Sequence, residues 1–501
     1  MLEQFLAGLA TAITPGNLGV AFLGAAIGTL TGVLPGFGPA AAIAILIPAT
    51  FSLPPSSALV MLSGVYFGAM YGGSTASILL RLPGEAASVI TVIDGHEMAR
   101  QGRAGQALAV AAIGSFVGNA VGIAGVALAA PALTRVALAF GPPEYFALIL
   151  VGLLLSTQFF GESTLKGVQM LLLGLLLGAV GLDPVSGYPR LTFGSTDLLR
   201  GLDFVPIAMG LFGLADMLAS ARNEVASRPA TPRLRELILS KEDLRRSVGP
   251  IARGTALGFP LGLIPGLGPV VASFLSYALE RRISKWPGSF GKGAIEGVAG
   301  PETANNAAAA ATFVPLLSLG IPSSAVAAVI LGALVIFGLR PGPLLLRNNP
   351  DIFWTVVGGM FVSNAMLLVL NLPLIPLWAS VVRVPRAIFT PLVLMSMVAG
   401  AYSVNGAAFD VMVMVISGIM GYWLERLGYS PVPLVIGLVL SPLLEQNFRQ
   451  TLALSHGSLA VFFSSPLSSV LIGVAVLLLV WRPLARAVAF VRRKERLAAA
   501  R

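Results

Sequence analysis

Between Glu3 and Arg81 the chain carries no Asp, Glu, Lys or Arg, and from Thr303 to Leu339 it carries none either. A helix of about 20 apolar residues crosses the hydrocarbon core of a bilayer. Runs of this length therefore hold several spans each, and a water-soluble fold would have nowhere to put them. Strands of a membrane barrel alternate apolar with polar residues. These runs are continuous, which predicts an all-α integral membrane protein of about 10 to 12 membrane segments, hairpins included. Only 11% of the residues are charged, against about 25% in an ordinary soluble domain.

The net charge of +10 is concentrated in two places. Residues 222–253 carry eight basic and four acidic side chains, and residues 482–501 carry seven and one. Basic flanks mark cytoplasmic segments, so both are expected inside the cell; for the tail VRRKER that topology signal is the preferred reading and contact with anionic lipid headgroups the alternative. This placement argues against a nucleic-acid partner. Four stretches follow: a first transmembrane repeat (1–221), a basic linker (222–253), a second repeat with C-terminal spans (254–481) and a basic tail (482–501). The first residues, MLEQFLAGLA, lack a basic n-region, so no cleavable signal peptide is expected. Absence of Cys excludes thiolate chemistry and Cys-ligated metals; neither a cofactor nor a resident metal is expected.

The most apolar segments are broken by matching motifs. GVLPGFGPA occupies residues 32–40 and GLIPGLGPV residues 262–270. Pro lacks the amide hydrogen and Gly costs backbone entropy, so both motifs interrupt helices. A second break follows each: LPGEAA at Pro83, 48 residues after Pro35, and IPSSAV at Pro322, 57 residues after Pro265. Two landmarks in the same order point to duplicated halves. In the second half, residues 254–279 form arms of about 15 Å on either side of PGLGP, half a bilayer each. Both arms end in basic sequence, so a re-entrant hairpin is expected. The corresponding loop of the first half, FSLPPSS, has no charge, which predicts an inverted arrangement; one complete, kinked span is the alternative. DGHEMARQGRAG then reads as a cytoplasmic loop, with LRPGPLLLRNNPD facing outward.

Non-helical backbone at membrane depth is tolerated where protein buries it or a watery cavity borders it. Half-helix N-termini there present N–H groups to carboxylates, and unwound carbonyls suit Na⁺. The substrate is expected between the two tips, against Gly36, Gly38, Gly266 and Gly268. Ser74, Thr75, Asn305, Asn306 and Ser323 supply hydroxyls and amides beside the breaks. Gly73, Pro83, Gly84, Thr303 and Pro322 are candidates for coupling to a cation. Helix packing competes with binding for Ser74 and Thr75, whereas two adjacent amides among alanines favour binding. Arg81 faces either a substrate carboxylate or Glu85, the pair being preferred. Glu302 serves either a coupling cation or a membrane-edge cap. Asp94 is expected in a turn without a ligand, and Glu445 with Arg449 in an i, i+4 ion pair.

These motifs carry a family likeness. GVLPGFGPAAAIAILIPATF, GVYFGAMYGGSTASILLRLPGEAASVITVIDGHEMARQGRAGQAL, GLIPGLGPVVASFLSYALERRISK and FGKGAIEGVAGPETANNAAAAATFVPLLSLGIPSSAVAAVILGAL resemble the large membrane subunit of the tripartite tricarboxylate transporters, the TctA family. LDPVSGYPRLTFG and GLVLSPLLEQNFRQTLALSHG add weaker support, so the likeness runs from about residue 17 to 460. The resemblance implies a secondary importer of di- or tricarboxylates in the bacterial inner membrane, coupled to Na⁺ or protons. It also implies a small TctB-like membrane subunit and a TctC-like periplasmic binding protein. The family's motif positions fall at Pro35, Gly36, Gly38, Pro39, Tyr71, Gly72, Gly73, Pro83, Gly84, Pro265, Gly266, Gly268, Glu302, Asn305, Asn306 and Pro322. Ser323 departs from the Gly expected in the second Pro motif.

Two other readings compete. An intramembrane serine hydrolase would use Gly72-Gly73-Ser74-Thr75-Ala76, which approaches G-x-S-x-G but ends in Ala. The only histidines, His96 and His456, lie in expected loops, and H-E-x-x-H is absent. A passive anion channel is the other. The expectation is a transporter and not an enzyme.

Overall fold

The computed structural model describes residues 1–34, 38–138, 140–159, 163–183, 186–220, 234–381 and 386–480. The chain is helical almost throughout. It opens with α1 (Leu2–Ala12), α2 (Pro15–Val33), α3 (Pro39–Leu46), α4 (Pro55–Leu80), α5 (Thr91–Arg100) and α6 (Ala104–Ala137). After α7 (Pro142–Phe159) and α8 (Thr164–Gly178), a two-residue hairpin pairs β1 (Gly181–Leu182) with β2 (Pro189–Arg190). Next come α9 (Phe204–Ala208) and α10 (Ala215–Ser220), joined by a π-helical stretch, then α11 (Lys241–Leu263) and α12 (Gly268–Ile283). The second half continues with α13 (Glu296–Ala311), α14 (Phe313–Leu319), α15 (Ala325–Ile336), α16 (Pro343–Asn348) and α17 (Pro350–Asn371). Then come α18 (Ile375–Val381), α19 (Arg386–Asn405), α20 (Ala408–Arg426) and α21 (Val432–Leu454), and a shorter apolar helix, Pro466–Val480, follows. Among the described residues, α2, α6, α17 and α20 are long and apolar enough to cross a membrane by length and composition.

The helices gather into two compact units, Met1–Leu138 with Asp203–Trp423, and Ala139–Leu202 with Leu424–Arg501. Each draws on sequence from both sides of the basic linker. The linker residues 222–233 and the tail, 482–501, lie outside the described residues. Of the remaining linker, Leu234–Leu237 form a 3-10 turn and the part from Lys241 belongs to α11, where Ser240 and Asp243 cap each other. The second-half hairpin therefore has arms of 23 and 16 residues, α11 being longer than the sequence suggested.

In the first unit α2 and α4 meet backbone to backbone. A methyl added at Gly24, Gly28 or Gly32 would sit 2.2–2.3 Å from the carbonyl oxygens of Met61, Val65 and Ala69. Only glycine allows that approach, which is the use of a G-x-x-x-G stripe between membrane helices. The second half repeats the contact. Gly254, Gly258 and Gly262 of α11 press on the carbonyls of Gly300, Ala304 and Ala308 of α13, the glycines 230 and the carbonyls 239 residues beyond their first-half counterparts.

The breaks repeat too. Leu34 and Ile264 leave their helices extended, at φ −92°, ψ 105° and φ −90°, ψ 120°, the conformation that a following proline imposes. Arg81 ends α4 in the left-handed region at φ 61°, and Gly320 ends α14 at φ 73°. Glu85 and Ser324 then start the next helices with matching backbone, φ −148° with ψ 167° or 166°. Each caps with its side chain, Glu85 accepting from the Ala87 amide and Ser324 from the Ala327 amide.

Three expectations change. Arg81 and Glu85 form no ion pair among the described residues; Arg81 is exposed, and Glu85 turns inward to cap residues 86–88. Asp94 is not in a loop. It sits within α5, wholly buried, accepting the amides of Gly291, Gly293 and Ala294 and the Tyr277 hydroxyl at 2.8–2.9 Å. Glu302 is not an edge cap, because it lies in the middle of α13 with no exposure. The Glu445–Arg449 pair is present at 2.7 Å, and in the second unit it extends to Arg190 and Asp183.

Candidate functional site

The polar residues of α13 lie on one face because i, i+3 and i+4 positions stack on a helix. Glu302, Asn305 and Asn306 occupy those positions, all three fully buried. The Ser74 hydroxyl of α4 reaches Glu302 Oε2 at 2.5 Å, and Thr91 of α5 donates to Oε1. Asn305 Nδ2 adds a contact to Oε2 at 3.3 Å. No Lys, Arg or His reaches this carboxyl among the described residues; the buried or half-buried ion pairs of the same unit are Arg246–Glu296, Arg253–Glu280 and Arg103–Asp243.

From Asn306 the network runs on to α6. Its Nδ2 lies 2.8 Å from Ser115 Oγ and 2.6 Å from Asn305 Oδ1, and its Oδ1 accepts from Asn119 at 3.1 Å. The Tyr71 hydroxyl donates to Asn364 Oδ1 at 3.0 Å, bringing α17 into contact with α4. Two buried carbonyl oxygens, Asn119 Oδ1 and Asn371 Oδ1, have no hydrogen-bond partner among the described residues. Buried amides in native proteins are nearly always satisfied, so these oxygens ask for a donor. Tyr71, Ser74, Thr75, Ser115 and Asn371 line a small cavity with room for about one water molecule. A di- or tricarboxylate does not fit there in this conformation.

A much larger groove of about 520 Å³ runs between α2, α3 and α19, past Ile27, Leu30, Leu46, Leu392 and Val393. Its wall is predominantly apolar and does not suit an anion.

Nine of the fourteen expected site residues fall into three groups. Ser74, Asn305 and Asn306 belong to the Glu302 cluster, and Thr75 joins Ser74 on the wall of the small cavity. Gly266, Gly268 and Ser323 form a second group: the Gly266 amide donates to the Ser323 carbonyl at 3.1 Å, and Ser323 Oγ donates to Gly262 O at 3.2 Å. The serine that replaces the expected glycine thus ties the second break to the hairpin turn. Gly73 and Gly84 form the third group. A methyl at Gly84 would sit 2.0 Å from the Gly32 carbonyl, and one at Gly73 2.8 Å from Glu85 Cγ, so both glycines are needed for packing. Thr303 donates within α13 to Ala299 O and presses on Gly114 and Gly118 of α6. Pro83 is exposed and Pro322 buried. Gly38 begins α3, while Gly36 lies outside the described residues along with Pro35.

Thr91, Ser115, Asn119 and Asn371 were not expected. The legible signal was that lone amides inside apolar helices are costly unless engaged, which applies to Asn119 and Asn371. Nothing in the sequence distinguishes Thr91 and Ser115 from packing residues.

Residues 18–436 match the tripartite tricarboxylate transporter TctA family, most of the chain. The chain belongs to the TctA family. It is a membrane protein of a transporter family, and the family supplies the large subunit of three-part carboxylate carriers. A relative from Agrobacterium vitis, described as an uncharacterized 52.8 kDa protein in the TAR-I ttuC' 3' region, is 48% identical over 476 residues, 95% of each chain. A second from the same organism, in the TAR-II ttuC' 3' region, is 46% identical over 219 residues, 44% of this chain and 90% of its own. No solved structure matches.

Proposed function

We propose that this TctA-family protein is the permease of a binding-protein-dependent, cation-coupled importer of di- or tricarboxylates in the bacterial inner membrane. A TctC-like periplasmic protein delivers the substrate and a TctB-like small subunit completes the assembly. The two repeats are inverted, with the basic linker and tail on the cytoplasmic side. Substrate carboxylates bind at the two Pro-Gly-x-Gly-Pro tips, where half-helix ends offer amides, and the Glu302 cluster supplies the coupling.

The observation that supports this reading best is a fully buried carboxyl, ringed by hydroxyls and an amide from α4, α5 and α13, with no Lys, Arg or His in contact among the described residues. Ionisable groups at such depth are expensive, and transporters use them for substrate or ion pathways. The hydrolase reading loses ground for a specific reason. Ser74 Oγ is engaged by Glu302 and the Met70 carbonyl, and no imidazole is among its contacts within the described residues, so the histidine that ordinarily activates a serine nucleophile is missing. Counterflow separates the carrier from a channel. Proteoliposomes loaded with unlabelled citrate should transiently accumulate labelled citrate when the binding protein is present. Simple equilibration of label would mean a passive pore.

A further inference from the structure

We infer that Glu302 carries the coupling proton, taking it up and releasing it once per transport cycle. This rests on the import reading above and narrows its coupling ion to H⁺.

Three observations converge. The first is a proton count at Ser74. Its hydroxyl has one hydrogen and two acceptors in reach, Met70 O at 3.2 Å and Glu302 Oε2 at 2.5 Å. If Ser74 donates to Met70, the contact to Glu302 is a hydrogen bond only when the carboxyl itself donates. The second is the absence of a counter-charge. Glu85 approaches the other side of the same stretch, its Cγ facing Gly73 while Ser74 faces Glu302. Two buried carboxyls on either side of one helical turn, without a cation among the described residues, cannot both be ionised.

The third observation is an opening for the proton. Glu85 Oε1, in a residue only 8% exposed, has no hydrogen-bond partner among the described residues, and neither has Asn371 Oδ1 on the cavity wall. A single water in the cavity beside Ser74 would donate to Asn371 and link Ser74 to the exchanging proton. Release breaks the O–H bond of Glu302 and passes its proton to Ser74 Oγ, while the hydrogen of Ser74 leaves Met70 O for the water on the cavity wall. The remaining carboxylate keeps donors from Thr91 and Asn305, and Ser74 donates the transferred hydrogen back to Oε2. One shell thus serves both protonation states.

The other titratable groups facing this region are Tyr66 and Tyr71 of α4 and Glu85 before α5. Asp94 of α5 is held by three amides, and Glu280 of α12 and Glu296 of α13 are paired with arginines. None of these supplies a positive charge to Glu302.

The test has two arms. Infrared spectra of the full chain in liposomes at neutral pH should show a protonated-carboxyl carbonyl band that is lost in Glu302→Gln and retained in Glu302→Asp. A wild-type-minus-Glu302→Gln difference containing only carboxylate bands overturns the inference, whether or not transport is observed. In the second arm, labelled citrate uptake is driven either by an inward proton gradient or by counterflow. The ratio of gradient-driven to counterflow flux should fall by about tenfold or more in Glu302→Gln, the size of an ordinary coupling free energy. Accumulation driven by a Na⁺ gradient and indifferent to the proton gradient overturns the proton while leaving import intact. Absence of both fluxes in the wild type strikes the import reading, and the infrared arm then decides the protonation of Glu302 alone.

Discussion

Replacing Asp94 probes the joint on which the two halves of the first unit meet. One carboxyl oxygen accepts three backbone amides, from Gly291, Gly293 and Ala294, and the other accepts the Tyr277 hydroxyl. Gly291 and Gly293 aim their amides from positive φ, 82° and 94°, where other residues are strained. The result is an amide nest closed around a carboxylate. Hydrogen bonds to a charged acceptor contribute about 1.5–3 kcal/mol each, roughly twice their neutral counterparts. Asn keeps the shape but loses the charge and turns an NH₂ toward Tyr277, so Asp94→Asn should cost about 3 kcal/mol. Asp94→Ala strands three buried amides at about 1–3 kcal/mol apiece, a loss that most membrane folds do not survive. Thermal midpoints of the full chain in detergent, followed by size-exclusion chromatography, should rank wild type above Asn and Asn above Ala. An alanine variant with the wild-type midpoint would refute the reasoning and return Asp94 to a solvated turn.

Other substitutions test separate parts of the account. Gly84→Val should abolish folded, monodisperse protein, since even a methyl would meet the Gly32 carbonyl at 2.0 Å; normal yield in membranes contradicts the close contact. Asn306→Ala leaves Ser115 and Asn119 without their common partner and should lower citrate uptake with insertion preserved, as should Asn305→Ala; parental uptake by both would make these amides packing residues. Ser323→Gly removes the bond to Gly262 O and should loosen the hairpin turn, seen as faster hydrogen exchange around Gly266. In the second unit, Arg449→Ala deprives Asp183 and Glu445 of a shared partner and should lower the midpoint by less than Asp94→Asn does.

Much of this architecture is legible in residues taken a few at a time. Charge-free runs predict membrane helices, and each proline motif marks a helix end, at Leu34, Arg81, Ile264 and Gly320. Ser74 and Asn305–Asn306 stand out because polarity inside an apolar run needs a reason. The partners are another matter. Thr91 and Ser115 meet Glu302 and Asn306 across 211 and 191 residues, and a lone hydroxyl carries no periodic signal of so distant a contact. Asp94 misleads for a local reason: Asp-Gly-His is turn chemistry by composition, yet its three amide donors come from residues 197–200 positions away. Arg81 misleads similarly, since proximity to Glu85 in sequence counts for little once a left-handed residue redirects the chain.

Concentrative uptake is the most direct test of the central claim, that a buried carboxyl couples carboxylate import to an ion gradient. The measurement is labelled citrate, with a panel of other di- and tricarboxylates, in proteoliposomes holding the large and small subunits with binding protein outside. The account predicts accumulation above the external concentration under an inward proton gradient, collapsing when a protonophore is added. Label that only equilibrates, with or without the gradient, would contradict it.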